Sequence, residues 1–204
     1  DWLIACAGAA GPALEGGVSK MGMTAGPGVI DRVWVDPDSR EIRVHTIAEK
    51  PAVGICGSGM IDLAASLFLS GRIDIRGKFS PAACREQLIE IDGIASFVLV
   101  DPVDSGTGEA ICLSQVDLNS LTSSKAAMLT ILEVIVRNTA ALAFEDLETF
   151  YVAGTFGSFI DPKSAIAIGM LPDIPVDTFE VLGNSSLGGA VRLLKEPESF
   201  DRIM

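Results

Sequence analysis

Two hydrophobic periods run along this chain of 204 residues. Period-two runs cover Val29–Val35 and Glu41–Ile47, and the turn-forming Asp36-Pro37-Asp38-Ser39 between them predicts a β-hairpin. The apolar Trp2–Ala7 reads as a short buried strand that enters a Gly/Ala-rich turn, Gly8–Gly17. After Pro51, Gly54-Ile55-Cys56-Gly57-Ser58-Gly59 opens an apolar helix over Met60–Leu69, with Gly71 placed where a left-handed C-cap is expected. A polar, irregular insertion spans about 72–95. Phe97–Val100 and Ala110–Leu113 predict a second hairpin around Asp104-Ser105-Gly106-Thr107-Gly108.

The longest helical pattern is Ser123–Phe144. Met128, Ile131, Leu132, Ile135, Val136, Thr139 and Leu142 follow i, i+3, i+4 spacing, and Ser123 or Ser124 stands at the N-cap. This stripe reads as core. The chain then gives a buried strand (Phe150–Ala153), a glycine turn, a short helix from Pro162, a strand (Phe179–Leu182) and a final helix (Ser186–Leu194). Hairpins first and strand–turn–helix units last make an α/β domain.

Composition narrows the functional classes. Hydrophobic residues make up 49% and charged residues 21%, enough apolar material for a core without metal or disulfide staples. The formal charge of −12 offers no basic cluster for nucleic acid or for an anionic membrane surface. Apolar stretches such as Ile61–Leu69 fall far short of the ~20 residues of a membrane span, and Asp1-Trp2-Leu3-Ile4 has no basic leader segment. The chain reads as soluble and cytoplasmic. Cys6, Cys56, Cys84 and Cys112 form no CxxC pair, so neither a zinc site nor an iron–sulfur site is expected here. His45, the one histidine, falls on the solvent face of its strand pattern. A single histidine also weakens any Ser-His or Cys-His nucleophile scheme.

Glycine placement carries the most information. A glycine at a strand–helix junction lets a ligand approach the backbone and aims free N–H groups at it. Four junctions qualify: Gly11–Gly17, Gly54–Gly59, Gly154–Gly157 and Gly183–Ala190. Each alone is an ordinary tight turn. No GxxxxGK[ST] occurs, and Gly54–Gly59 is not the dinucleotide GxGxxG, so neither a Walker-type enzyme nor a standard Rossmann dehydrogenase is supported.

In order, AGPALEGG, GMTAGPGVID, GICGSGMIDL, VAGTFG, IGMLP and GNSSLGGA resemble the carboxy-terminal part of the reductive activators of corrinoid proteins, members of the ASKHA superfamily with the sugar kinases, actin and heat-shock chaperones. The resemblance runs from about Ala9 to Leu194. It implies a ribonuclease-H-like domain, a mixed sheet with flanking helices, and ATP-driven return of Co(II) corrinoid to Co(I) by a protein carrying an iron–sulfur cluster. The implied partner is a corrinoid protein.

The resemblance also implies site residues. Glu15, beside Gly16, matches the place where relatives offer a polar side chain to the ribose. Gly154 and Gly157 match the turn that receives adenosine, with Thr155 where a second glycine is usual; Gly183 and Asn184 open the last helix beside the same cleft. The phosphate hairpins, the ligands of Mg²⁺ and the iron–sulfur domain would precede Asp1. The chain is then a C-terminal fragment, residues 1–204 forming one ASKHA-type half that pairs with its own N-terminal domains or with a second copy, and no catalytic residue or metal ligand is expected within it.

Three alternatives follow from the residues. Asp104-Ser105-Gly106-Thr107-Gly108 has the look of a strand–DxGT–strand phosphate loop, although Asp and Gly are also plain hairpin chemistry. Cys56, at a helix N-terminus, is a candidate thiol nucleophile or a small buried residue in a tight crossing. The whole chain also reads as an acidic docking module without a catalytic part.

Overall fold

The computed structural model describes residues 3–8, 19–36, 38–39, 41–154 and 156–202. The chain builds three sheets around a shared core. In the first, β1 (Val29–Val35) pairs antiparallel with β2 (Ile42–Thr46) and parallel with the short β3 (Gly54–Ile55), in the order β2-β1-β3. The register sets Val33 opposite Val44 and Ile30 opposite Ile55. At the hairpin, the Asp36 carboxylate accepts the N–H groups of Asp38 and Ser39 at 3.0 and 2.8 Å. These two bonds hold its carboxyl below the usual carboxylate range.

Helix α1 (Gly57–Leu69) lies on β1. It starts earlier than the apolar pattern suggests, because Gly57, Ser58 and Gly59 are themselves helical and buried. Gly71 ends it as expected: its N–H donates to Phe68 O and that of Arg72 to Leu67 O, the bonding of a Schellman cap.

The stretch 72–95 is more regular than its polarity announces. It holds a single-turn helix α2 (Pro81–Cys84) and strand β4 (Leu88–Ile91), which joins β5 (Ile94–Val100) and β6 (Ile111–Ser114) in an antiparallel meander. Asp92 and Gly93 both have positive φ, +53° and +77°, as a type I′ hairpin turn requires. Helix α3 (Gln115–Glu133) begins eight residues before the expected Ser123. Its N-cap is Ser114, the last residue of β6. The Ser114 hydroxyl accepts the Asp117 N–H, and the Asp117 carboxylate accepts the Ser114 N–H, a reciprocal capping box. A π-helical turn over Val134–Thr139 ends it, so Phe144 falls beyond in a separate short turn.

Strands β7 (Phe150–Ala153) and β8 (Phe179–Gly183) pair in parallel, with α4 (Pro162–Ala167) between them in sequence and α5 (Ser185–Lys195) after them. Two expectations fail on burial. β7 is half exposed rather than buried, with Tyr151 facing outward. Of Trp2–Ala7, the described part from Leu3 onward forms no strand and is exposed, because no described strand pairs with it.

One apolar cluster runs from Ile30 and Val33 through Ile61 and Leu67 to Phe97, Leu113, Ala165 and Met170. A second, of Leu132, Val136, Phe144 and Ile174, borders it through Met128 and Leu171. Lys125 reaches from α3 to donate to the Ile168 carbonyl at the end of α4, a cation placed on the negative end of a helix.

Candidate functional site

The two parallel strands end side by side. The Gly154 N–H donates to the Gly183 carbonyl at 2.7 Å, so the turn after β7 and the turn before α5 share one edge. In parallel α/β pairs, ligands are received at the carboxyl ends of the strands. Gly154 has φ +105°, a conformation that side chains resist, and a Cβ built there would meet no atom of the described residues within 4 Å. Backbone geometry favours glycine at this position. Gly183, at φ +64°, lies across from the Ser158 hydroxyl, 4.0 Å from where its Cβ would be.

Asn184 caps α5, its side-chain oxygen accepting the Leu187 N–H at 3.0 Å. That bond uses the side-chain oxygen and not the amide NH₂. Gly157 is different. It is buried, and a Cβ there would lie 2.6 Å from Val152 Cγ1, so it is glycine for packing against β7 and offers only its backbone to a ligand. Ser158, not singled out by the sequence, fixes the turn: its hydroxyl and its N–H both donate to the Gly154 carbonyl, at 2.9 and 3.2 Å. Its signal was its spacing, four residues after Gly154. The structure thus brings together Gly154, Gly157, Gly183 and Asn184. Glu15, Gly16 and Thr155, with the Gly11–Gly17 turn, lie outside the described residues.

The competing positions are occupied by structure. At Asp104–Gly108, the Gly106 N–H donates to Ala52 O at 2.7 Å and the Ser105 hydroxyl to the same carbonyl. The N–H groups of Thr107 and Glu109 are taken by the Ser105 and Thr107 hydroxyls. The Gly106 N–H and the Ser105 hydroxyl are thus spent on tying this loop to the segment before β3, which leaves it fewer donors for a phosphate. The Cys56 thiol is buried against the Ser58 hydroxyl at 3.2 Å. His45 pairs with Asp31 at 2.7 Å on the half-exposed face of β2. Burial pushes the Cys84 and Cys112 thiols up, away from the thiolate form that reacts or ligates. Among the described residues no group of three or more His, Cys, Asp or Glu side chains is placed to hold a metal ion, and no helix is long and apolar enough to cross a membrane.

A parallel strand pair with glycine turns at its carboxyl ends and helices in sequence between and after the strands places this half of the chain in the α/β class. A family model described as the C-terminal domain of RACo, the ASKHA domain, matches residues 1–204. The chain belongs to this family, and its fold is the ASKHA-type α/β fold. It is 31% identical over 197 residues to the corrinoid activation enzyme RamQ of Eubacterium limosum, covering 93% of this chain and 33% of that protein. It is 28% identical over 226 residues to the [Co(II) methylated amine-specific corrinoid protein] reductase of Methanosarcina barkeri, covering 100% of this chain and 37% of that protein. A solved structure titled reductive activator for corrinoid, iron-sulfur protein superposes with a TM-score of 0.86 at 36% identity, covering 95% of this chain and 31% of that one. The chain therefore spans about a third of the length of these relatives.

Proposed function

We propose that this chain forms the adenosine-side half of the ATP cleft of a reductive activator that returns a Co(II) corrinoid protein to Co(I). The observation that carries the reading is the open, positive-φ Gly154 hydrogen-bonded edge to edge with Gly183, with α5 opening beside it. A planar base fits against a backbone that has no side chain in front of it. The donors available to such a ligand are the Asn184 amide and the first N–H groups of α5. Glu15, with Gly16, is assigned to the ribose, and Thr155 to the turn that receives adenosine.

Bound ATP supplies the binding and hydrolysis energy for an uphill electron transfer. This chain's part is to bind and orient the nucleoside. The phosphate grip, the Mg²⁺ ligands and the iron–sulfur cluster are assigned to other parts of the protein, in keeping with relatives three times as long. The corrinoid-protein partner follows the activities named for those relatives, and a cytoplasmic setting suits that chemistry.

Calorimetric titration with ADP and with ATP, each with and without magnesium, tests this. The expected result is weak binding that ignores magnesium and is lost in Gly154→Arg, whose side chain fills the open space. Tight, magnesium-dependent binding would overturn the division of labour.

A second reading has its own observation. Leu187, Val191 and Leu194 form an exposed stripe on α5, and Val181 and Leu182 of β8 are also exposed. An apolar surface of this kind suits docking of a corrinoid protein, of the protein's own N-terminal domains or of a second copy. Partner binding that survives Gly154→Arg would favour it.

A further inference from the structure

We propose that Ser158 is a positioning residue for the nucleoside: with a bulge at Leu182 it locks Gly154 between β7 and β8, so that the turns after the two strands act as one edge. The nucleoside part rests on the adenosine reading above. The lock itself stands on hydrogen bonds and strand register.

The register of the parallel pair slips once. Val152 stands opposite Val181, but Ala153 stands opposite Gly183, which makes Leu182 an extra residue in β8. Bulges are rare between parallel strands, and they occur where pairing ends or where a residue is re-aimed beside a site. The alternation of a regular strand breaks at this one, since Val181 and Leu182 are both exposed. The extra residue carries β8 one position further than β7. Gly183 then arrives where its carbonyl accepts the Gly154 N–H at 2.7 Å.

Gly154 is held from its other side as well. Its carbonyl accepts the Ser158 hydroxyl at 2.9 Å and the Ser158 N–H at 3.2 Å, and the hydroxyl bond is the shorter. The Gly157–Phe159 turn that carries Ser158 packs on both β7 and β8. Ser158 Oγ also lies beside Gly183, 4.0 Å from where a Cβ on that residue would be. Ser158 therefore bonds the end of one strand and adjoins the end of the other. The line of contacts continues from Gly183 to Asn184, whose side chain caps α5 through the Leu187 N–H.

A glycine has more backbone freedom than any other residue, and a turn built on one is loose unless something fixes it. Gly154 is fixed at both of its polar groups, its N–H by β8 and its carbonyl by Ser158. A ligand that touches both turns needs their separation set before it arrives, because ordering them on binding subtracts from affinity. The Ser158 hydroxyl does that ordering in advance. A side-chain hydroxyl bonded to the carbonyl four residues back is a local bond available to serine and threonine but not to alanine.

The test compares wild type, Ser158→Ala and Ser158→Thr in the full chain, each shown to be folded by chemical denaturation. Amide hydrogen exchange at Gly154 reads the lock, and calorimetric titration with ADP reads its consequence. Ser158→Ala is expected to speed Gly154 exchange and to weaken ADP binding, each by about two- to tenfold, the worth of one hydrogen bond. Exchange in α1 should stay as in the wild type. Ser158→Thr restores the hydroxyl and should return both readings toward wild type, which a serine acting only through overall stability would not require. Gly154 exchange unchanged in Ser158→Ala, exchange raised equally in α1, ADP affinity left intact by Ser158→Ala, or a threonine variant no better than alanine would overturn the proposal. A wild type that binds no ADP, with Gly154 exchange still following the hydroxyl, would remove the adenosine reading and leave the lock standing.

Discussion

The β3–α1 and β8–α5 units share one design, a strand, a glycine turn and a helix, and end in opposite environments. Eleven of the thirteen residues of α1 are buried, whereas none of the eleven in α5 is. A Cβ at Gly59 would lie 2.5 Å from the Ile30 carbonyl oxygen, while one at Gly188 or Gly189 would meet no atom of the described residues within 4 Å. The first unit uses glycine to bring helix and strand into contact. The second uses glycine to leave space. α1 is apolar on all sides because it is covered on all sides; α5 keeps Leu187, Val191 and Leu194 on one uncovered stripe. A glycine motif at a strand–helix junction therefore states that backbone is close to something, and only the surrounding packing says whether that is the fold or a ligand.

Truncating equivalent leucines should separate the units most widely. Leu67→Ala, at a fully buried position of α1, is expected to lower stability by about 2–5 kcal/mol in chemical denaturation. Leu194→Ala, at an 83% exposed position, is expected to change it by less than about 0.5 kcal/mol. A large loss at Leu194 would mean that α5 is covered, for example by a second copy.

Adding one methyl group to each glycine turn sharpens the contrast. Gly59→Ala must push Cβ into the Ile30 carbonyl and should cost about 1–3 kcal/mol. Gly189→Ala, helical and open, should gain about 0.5–1 kcal/mol through helix propensity. Thermal unfolding of both variants checks the opposite signs.

The smallest effect is proton-linked and belongs only to the covered unit. Asp62 has a folded pKa raised by burial, so its contribution to stability is fully present below its unfolded value and is lost as pH rises through the folded value. The difference in unfolding free energy between wild type and Asp62→Asn should therefore shift against the wild type with rising pH. A difference that is flat across that range would contradict the burial argument.

Much of this was legible in the amino-acid pattern, for physical reasons. β1, β2 and α1 pack one face or all faces, and their hydrophobic periods are strong. The start of α3 was hidden because Ser114 both ends a strand and caps a helix, and the first turns, Gln115–Thr122, are mostly polar. β4 was hidden among polar neighbours, although Asp92-Gly93 between two apolar runs is a strong type I′ signal. Gly154, Gly183 and Asn184 were readable as turn and cap residues because backbone geometry dictates residue type there. Ser158 was not, since a serine that braces a turn has no distinguishing composition. Gly157 was readable as glycine but not as a packing glycine, because the nearness of Val152 is tertiary information.

The most direct test of the account is a footprint of ADP on backbone amides, by exchange or by chemical-shift perturbation. The account predicts effects at Gly154–Ser158 and Gly183–Leu187, with none at Cys56–Met60 or Asp104–Gly108. Effects centred on either of those two closed junctions, with Gly154 and Gly183 unmoved, would contradict it.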